Sequence, residues 1–219
     1  NIDQFYGLPQ SRILEVDVNG GEPTASKNYK KILANLPENT IIVRMNTNGS
    51  RMIKELEGIL SKRVMVIVTL SLDGVGETHD YVRWPIKWEN YIKNVKAYQT
   101  LQKQFPLLRL NSWTTVSCLN VANLPNILDF TTEHNLDHDW AFLYQVRHRN
   151  RFTEQAKIKL QSSSYPNCRE LAKSVAVGQD NDDELIQKLE EQDNLRKIDY
   201  KNYFNFDPNF SRNKEAKRS

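Results

Sequence analysis

The chain has 219 residues, enough for one large domain or one domain with a small appendage, and with 39% apolar and 26% charged residues it excludes wholesale disorder. Its formal charge of +3 is nearly balanced, which removes any bulk-charge case for nucleic acid or membrane surfaces, and no apolar run reaches membrane-spanning length. Two cysteines, Cys118 and Cys168, make neither a disulfide framework nor a metal motif, so a cytoplasmic setting is expected.

Residues 13–19, ILEVDVN, alternate apolar and polar and are rich in β-branched types, which predicts a strand. TASKNYKKILANL (24–36) follows as a helix entered through Pro23 and closed before Pro37. TIIVRMN (40–46) predicts a second strand, and SRMIKELEGILSKR (50–63) a helix with Ile53, Leu56, Ile59 and Leu60 on one face. VMVIVTLSL (64–72) is the most continuously apolar run, as expected of a strand covered on both faces. A loop over 73–87 leads to a helix over 88–104, where Ile92, Val95, Tyr98 and Leu101 are spaced to face a core. A strand over 107–117, a helix over 123–135 and a strand over 140–146 complete the alternation. Strand and helix alternating in this way predict an α/β fold, a parallel sheet with crossover helices closed or partly closed into a barrel. Residues 1–150 are expected to form this core. Residues 151–219 are expected to form a small, mostly helical and irregular extension, with exposed helices at EQAKIKL and DDELIQKLEEQ and a disordered basic tail.

In parallel α/β architectures ligands meet the carboxyl ends of the strands, where the following loops vary without disturbing the core. The first strand delivers Asn19-Gly20-Gly21-Glu22-Pro23, the second Asn46-Thr47-Asn48-Gly49, and the third Ser71-Leu72-Asp73-Gly74. The fourth ends in the hydroxyls of Ser112 to Ser117, the fifth in Gln145 and Arg147. Neither a GxGxxG nor a GxxxxGK[ST] pattern occurs, which disfavours a dinucleotide or nucleoside triphosphate. The residue types suit a zwitterion carrying a sugar instead. Glu22 and bare backbone carbonyls beside Gly20 and Gly21 can accept from an ammonium group. Asn48, Ser71 and Asp73 suit a ribose diol, and Arg83 can pair bidentately with a carboxylate.

VDVNGGEPT, with RMNTNGS and TLSLDGVGETHDYVR downstream, resembles the core of radical S-adenosylmethionine enzymes over about residues 10 to 150. The resemblance implies a partial (β/α)6 TIM-like barrel without its first strand. It implies that Gly20, Gly21, Glu22 and Pro23 form the loop for the cofactor's methionyl amino group. Asn48, Ser71 and Asp73 fall at positions expected near the ribose, and Arg83 at that of an arginine reaching the carboxylate. LRKID near the end is similar to members with a short twitch-type extension. The family holds a 4Fe-4S cluster through a CxxxCxxC loop, because such clusters require thiolates. No such loop lies in this sequence, so the cluster ligands and the first strand are expected upstream of Asn1, and this chain alone is expected to be inactive. The implied activity is reductive cleavage of S-adenosylmethionine to a 5′-deoxyadenosyl radical that abstracts a substrate hydrogen. A small-molecule or peptide substrate and an electron donor are the implied partners. No catalytic residue and no metal ligand is assigned within the chain.

Each signal also has a plain structural reading. The glycine pair can be a tight strand-to-helix turn, Asn48 and Gly49 can cap a helix at residue 50, and Arg83 can stack on Trp84 or Tyr81. His79, His134, His138 and His148 have no metal-ligand spacing and read as surface or loop residues, and Cys118 as buried near a strand end. The basic stretch 145–152 reads as a solvated strand exit or an anion contact, and the aromatic stretch after residue 193 as a tail anchored on the barrel or a single-strand binder. Two rivals to the enzyme reading stand: a cluster-free nucleoside or amino-acid binding module on the same scaffold, and a partial-barrel enzyme using Glu22 and Asp73 as an acid/base pair.

Overall fold

Five strands, β1 (Glu15–Val18), β2 (Ile42–Thr47), β3 (Met65–Ser71), β4 (Leu108–Val116) and β5 (Asp137–Phe142), form one sheet in the order of the chain. The pairs β1–β2, β2–β3 and β3–β4 are parallel, with Val16 beside Val43, Met45 beside Val68, and Val68 beside Leu110. Parallel neighbours need a crossover between them, and helices supply it. They are α1 (Lys27–Ala34), α2 (Leu56–Ser61), α3 (Glu77–Val82), α4 (Trp88–Gln104) and α5 (Leu124–Glu133), the last entered through a 3-10 turn at Val121–Asn123. This is the α/β arrangement expected from the alternation, and it is consistent with a partial TIM-like barrel. The computed structural model describes residues 5, 7–9, 12–142, 154–174 and 182–202. Among them no helix is long and apolar enough to cross a membrane. Gln145, Arg147, the basic stretch 145–152, the domain boundary expected near residue 150 and the tail from 203 onward lie outside them.

The described residues divide into two compact units, one drawn from Asn1–Leu72, Ile86–Thr114 and Thr131–Asp139, the other from Asp73–Pro85, Thr115–Phe130 and Trp140–Ser219. In the first, strand alternation puts Val43, Met45 and Thr47, and Val66, Val68 and Leu70, on one buried face. Helical spacing does the rest: Leu33 of α1, Leu56, Ile59 and Leu60 of α2, and Tyr91, Val95, Tyr98 and Leu101 of α4 are all buried. Ile92, read from the sequence as a core residue, is half-buried, and Tyr91 takes the fully buried position.

Two helices of this unit start later than their periodicity suggests, for local reasons. Thr24 spends its N–H and its hydroxyl on the Glu22 carboxylate, so Ser26 becomes the N-cap of α1, accepting from the Tyr29 N–H at 3.4 Å. After β2 the chain turns at Gly49, whose φ of 71° is left-handed, and Asn48 Oδ1 takes the Ser50 N–H, so α2 waits until Leu56.

The second unit holds α3, α5 as far as Phe130, α6 (Glu154–Gln161), α7 (Pro166–Ser174) and α8 (Asp182–Arg196). The sequence predicts no helix at α3 or α7. The first is a single turn and a half, too short to show a period, and the second hides in a polar segment where Pro166 takes the first helical position. Tyr81, Leu189 and Tyr200 form an apolar cluster with Leu119 and Ile198 against it. Asp193 is only 4% exposed; it accepts from the Tyr81 hydroxyl at 2.9 Å and from the Tyr200 N–H, tying α8 to α3. Burial first, and then Asp193, push the Tyr81 phenol above its ordinary pKa. Asp193→Asn places an amide N–H against one of these two donors, and is expected to cost roughly 2 kcal/mol. Urea unfolding measures it; a loss too small to resolve would show that the contact does not hold α8.

Candidate functional site

The loop after β1 is built around conformation. Gly20 and Gly21 have φ of 84° and 64°, which β-carbon-bearing residues rarely adopt, and a Cβ on Gly21 would meet nothing within 4 Å. Left-handed backbone, rather than crowding by the protein, is therefore what demands glycine here. Two carbonyls read from the sequence as neighbours of a bare backbone are covered: Tyr29 of α1 points its hydroxyl at the Asn19 carbonyl, 2.8 Å away, and at the Gly20 carbonyl. The Gly21 carbonyl has no donor among the described residues.

Glu22, half-buried, reaches across to β2. Its Oε1 accepts from Thr24 N at 3.1 Å, Thr24 Oγ1 at 2.8 Å and Thr47 Oγ1 at 2.9 Å, while among the described residues its Oε2 accepts only from Asn48 N, at 2.7 Å. A carboxylate offers about four acceptor sites, two per oxygen, so the spare capacity lies on Oε2. Pro23 is buried behind the loop. The second strand end joins the same network. Thr47 Oγ1 accepts from Gly49 N at 3.2 Å, and Asn94 of α4 donates to the Gly49 carbonyl at 2.8 Å. Asn48 is half-buried; its Oδ1 serves the turn to Ser50 rather than a helix cap. Ser71, the last residue of β3, is half-buried and lies beside Trp113 in the register with β4.

Asp73 and Arg83 belong to the second unit and bind each other. Asp73 Oδ2 lies 2.8 Å from Arg83 Nη2, and Asp73 Oδ1 accepts from Thr115 N at 2.8 Å. Burial raises the Asp73 carboxyl above its ordinary pKa, and the Arg83 charge and the Thr115 N–H pull it back. The Nε of Arg83 is buried with no partner among the described residues. Beside this pair His79 of α3 is fully buried, not the surface or loop residue that the sequence suggests. Burial first, then the Arg83 charge, hold its imidazole down at about 4, so it is neutral at pH 7. Gly74 lets α3 close on the strand end: a Cβ there would meet the His79 backbone nitrogen at 2.8 Å.

Thr24, Tyr29, Thr47 and His79 are the residues that sequence reasoning misses. The two threonines carry a faint signal, a hydroxyl two positions after Glu22 and another directly before Asn48-Gly49. Among the described residues no cluster of three or more His, Cys, Asp or Glu could hold a metal. Cys118 is half-buried rather than buried, and Cys168 of α7 is fully buried, its thiol raised by burial. Two cysteines so placed do not fit the three-thiolate set of a 4Fe-4S cluster.

No protein-family model matches the sequence, and no curated protein matches it. Among solved structures the chain is similar to SuiB of Streptococcus suis, at 20% identity and a TM-score of 0.49, over 64% of this chain and 32% of that one. Structures of SuiB bound to S-adenosylmethionine and to the precursor peptide SuiA give TM-scores of 0.45 and 0.46 at 20% and 21% identity, with the same coverage. The chain thus spans about a third of the length of the solved chains it resembles, and likenesses of this strength carry no conclusion about it.

Proposed function

We propose that the Gly20–Glu22 loop holds the methionyl ammonium of S-adenosylmethionine, and that the chain is the cofactor-binding core of a radical S-adenosylmethionine enzyme. One observation supports the reading: at the carboxyl end of β1 the Gly21 carbonyl, without a donor among the described residues, adjoins a Glu22 whose Oε2 takes a single donor among them. An ammonium has three donors and no acceptor, and a charge-assisted bond to each of these oxygens would satisfy two of them. The same reading gives Asn48, Ser71 and Asp73 to the ribose and Arg83 to the carboxylate. A guanidinium has five N–H donors, so Arg83 can serve a ligand without releasing Asp73.

Bound S-adenosylmethionine would supply a reducible sulfonium, and the cluster that reduces it takes thiolates that these residues do not offer. No catalytic step is therefore assigned to this chain; its residues bind and orient. Glu22→Ala is expected to weaken S-adenosylmethionine binding by roughly 2 kcal/mol through loss of a charge-assisted contact. Calorimetric titration of both proteins measures it, and equal affinities would remove Glu22 from the site.

The low cysteine count favours a second reading, a cluster-free module that binds an amino-acid-linked nucleoside. The intact gene product, reconstituted anaerobically with iron and sulfide, separates the two. Release of 5′-deoxyadenosine on reduction supports the enzyme, and tight binding without release supports the module.

A further inference from the structure

Thr47 occupies a position that strand alternation reserves for an apolar side chain. It follows Val43 and Met45 on the buried face of β2, sits beside Leu70 of β3, and is 1% exposed. A valine would fill the slot with the same shape. The hydroxyl found there instead is used twice, donating to Glu22 Oε1 at 2.9 Å and accepting from Gly49 N at 3.2 Å. One buried oxygen thus joins the loop after β1 to the loop after β2. Its β-branched side chain is stiff about χ1, so the oxygen is held where the backbone of β2 puts it.

We infer that Thr47 is a positioning residue for the ammonium site, fixing which oxygen of Glu22 is offered to a ligand. This rests on the reading of the Gly20–Glu22 loop given above. A glutamate has three rotatable side-chain bonds, and freezing them costs entropy that a binding site must recover. Here Thr24 and Thr47 pin Oε1 between them, and Oε2 is left with one backbone donor and room for another. Without the Thr47 hydroxyl, Oε1 keeps only donors from its own loop, and the Asn48 N–H on Oε2 is left as the one described tie to the loop after β2, about which the carboxylate can turn. Gly49 N–H loses its acceptor at the same time, which loosens the second loop. Orientation, and not contact with the ligand, is what Thr47 contributes.

The test compares Thr47→Val, Thr47→Ser and the unaltered protein by calorimetry with two probes, S-adenosylmethionine and 5′-methylthioadenosine. The second keeps the adenosine and sulfur but lacks the amino-acid head. Thr47→Val is expected to lose about tenfold in affinity for S-adenosylmethionine, one hydrogen bond's worth. Its affinity for 5′-methylthioadenosine is expected to be unchanged, and Thr47→Ser, which keeps the oxygen, is expected to recover most of the loss. Hydrogen exchange without ligand is expected to speed up at the Asn48 and Gly49 amides in the valine variant alone. Equal losses for both probes would reduce Thr47 to general support and overturn the inference. So would unaltered S-adenosylmethionine affinity in Thr47→Val, with the functional reading left standing. Failure of the unaltered protein to bind S-adenosylmethionine would overturn the functional reading itself and the positioning role with it. Should the valine variant not fold, Thr47→Ala removes the same oxygen and gives the same comparison.

Discussion

Gly49→Ala is expected to destabilise the protein by about 4 kcal/mol, from two costs of separate origin. The first is conformational: φ at Gly49 is 71°, and a left-handed residue bearing a Cβ costs roughly 1–2 kcal/mol. The second is steric. The added carbon would lie 2.5 Å and 2.7 Å from two ring carbons of Tyr91, inside any real contact distance. Tyr91 cannot step aside, because its ring is fully buried and stacks on Trp88 with centroids 5.5 Å apart. Overpacking of a filled core costs roughly 1–3 kcal/mol. Urea unfolding checks the sum, and Tyr91→Leu in the same chain, by making room, should return part of the steric share but none of the conformational one. A loss under 1 kcal/mol would mean that the turn after β2 is not held as described.

Acid is expected to remove roughly 3 kcal/mol of stability through His79 alone. Its imidazole titrates near 6.5 in an unfolded chain and is held at about 4 in the fold, by burial first and the Arg83 charge second. Between those values the unfolded state binds the extra proton, so stability rises with pH there. The contribution is whole above about pH 6.5 and disappears as pH falls towards 4, at 1.36 kcal/mol per unit. The ring is buried, so solvent screening reduces it little. Asp73 acts in the opposite sense, since its folded pKa lies above the ordinary 3.8 and protonation there favours the fold as pH drops. Comparing unfolding at pH 7 and pH 4.5 in the unaltered protein and in His79→Gln isolates the histidine. The variant should lose the greater part of the acid sensitivity; equal pH dependence would mean that His79 is not a buried neutral base.

The sheet was legible in the sequence because its strands show either a two-residue period, as at 13–19, or a nearly continuous apolar run, as at 64–72, and the crossover helices fall between Gly, Pro and Asn breaks. Helix α4 was legible for the same reason, with four turns in which to repeat. The start of α1 was not, because Thr24 has good helical company yet is captured by a carboxylate two residues earlier. At the site, Gly20 and Gly21 announced themselves, since a glycine pair after a strand has few uses. Thr47 did not: a threonine at a strand end looks like ordinary β-propensity until the register sets it below Glu22. Nor did the pairing of Asp73 with Arg83, because the two are joined by a helix too short for periodicity to reveal. What periodicity could not supply in each case was a polar partner distant in sequence.

The strand order has a consequence for how the chain folds. Among the described residues every strand pairs with its neighbour in sequence, so none of these pairings waits for a remote segment, and contact order stays low for a parallel sheet. Among the described residues, the groups that grip Glu22 run from Thr24 to Asn48, no more than 26 positions away. The network behind the Gly20–Glu22 loop therefore closes within the β1–β2 unit and draws on no later strand. A short stretch of chain costs less entropy to close than a long one, so the grip on Glu22 forms at little more entropic cost than the β1–β2 pairing that it accompanies.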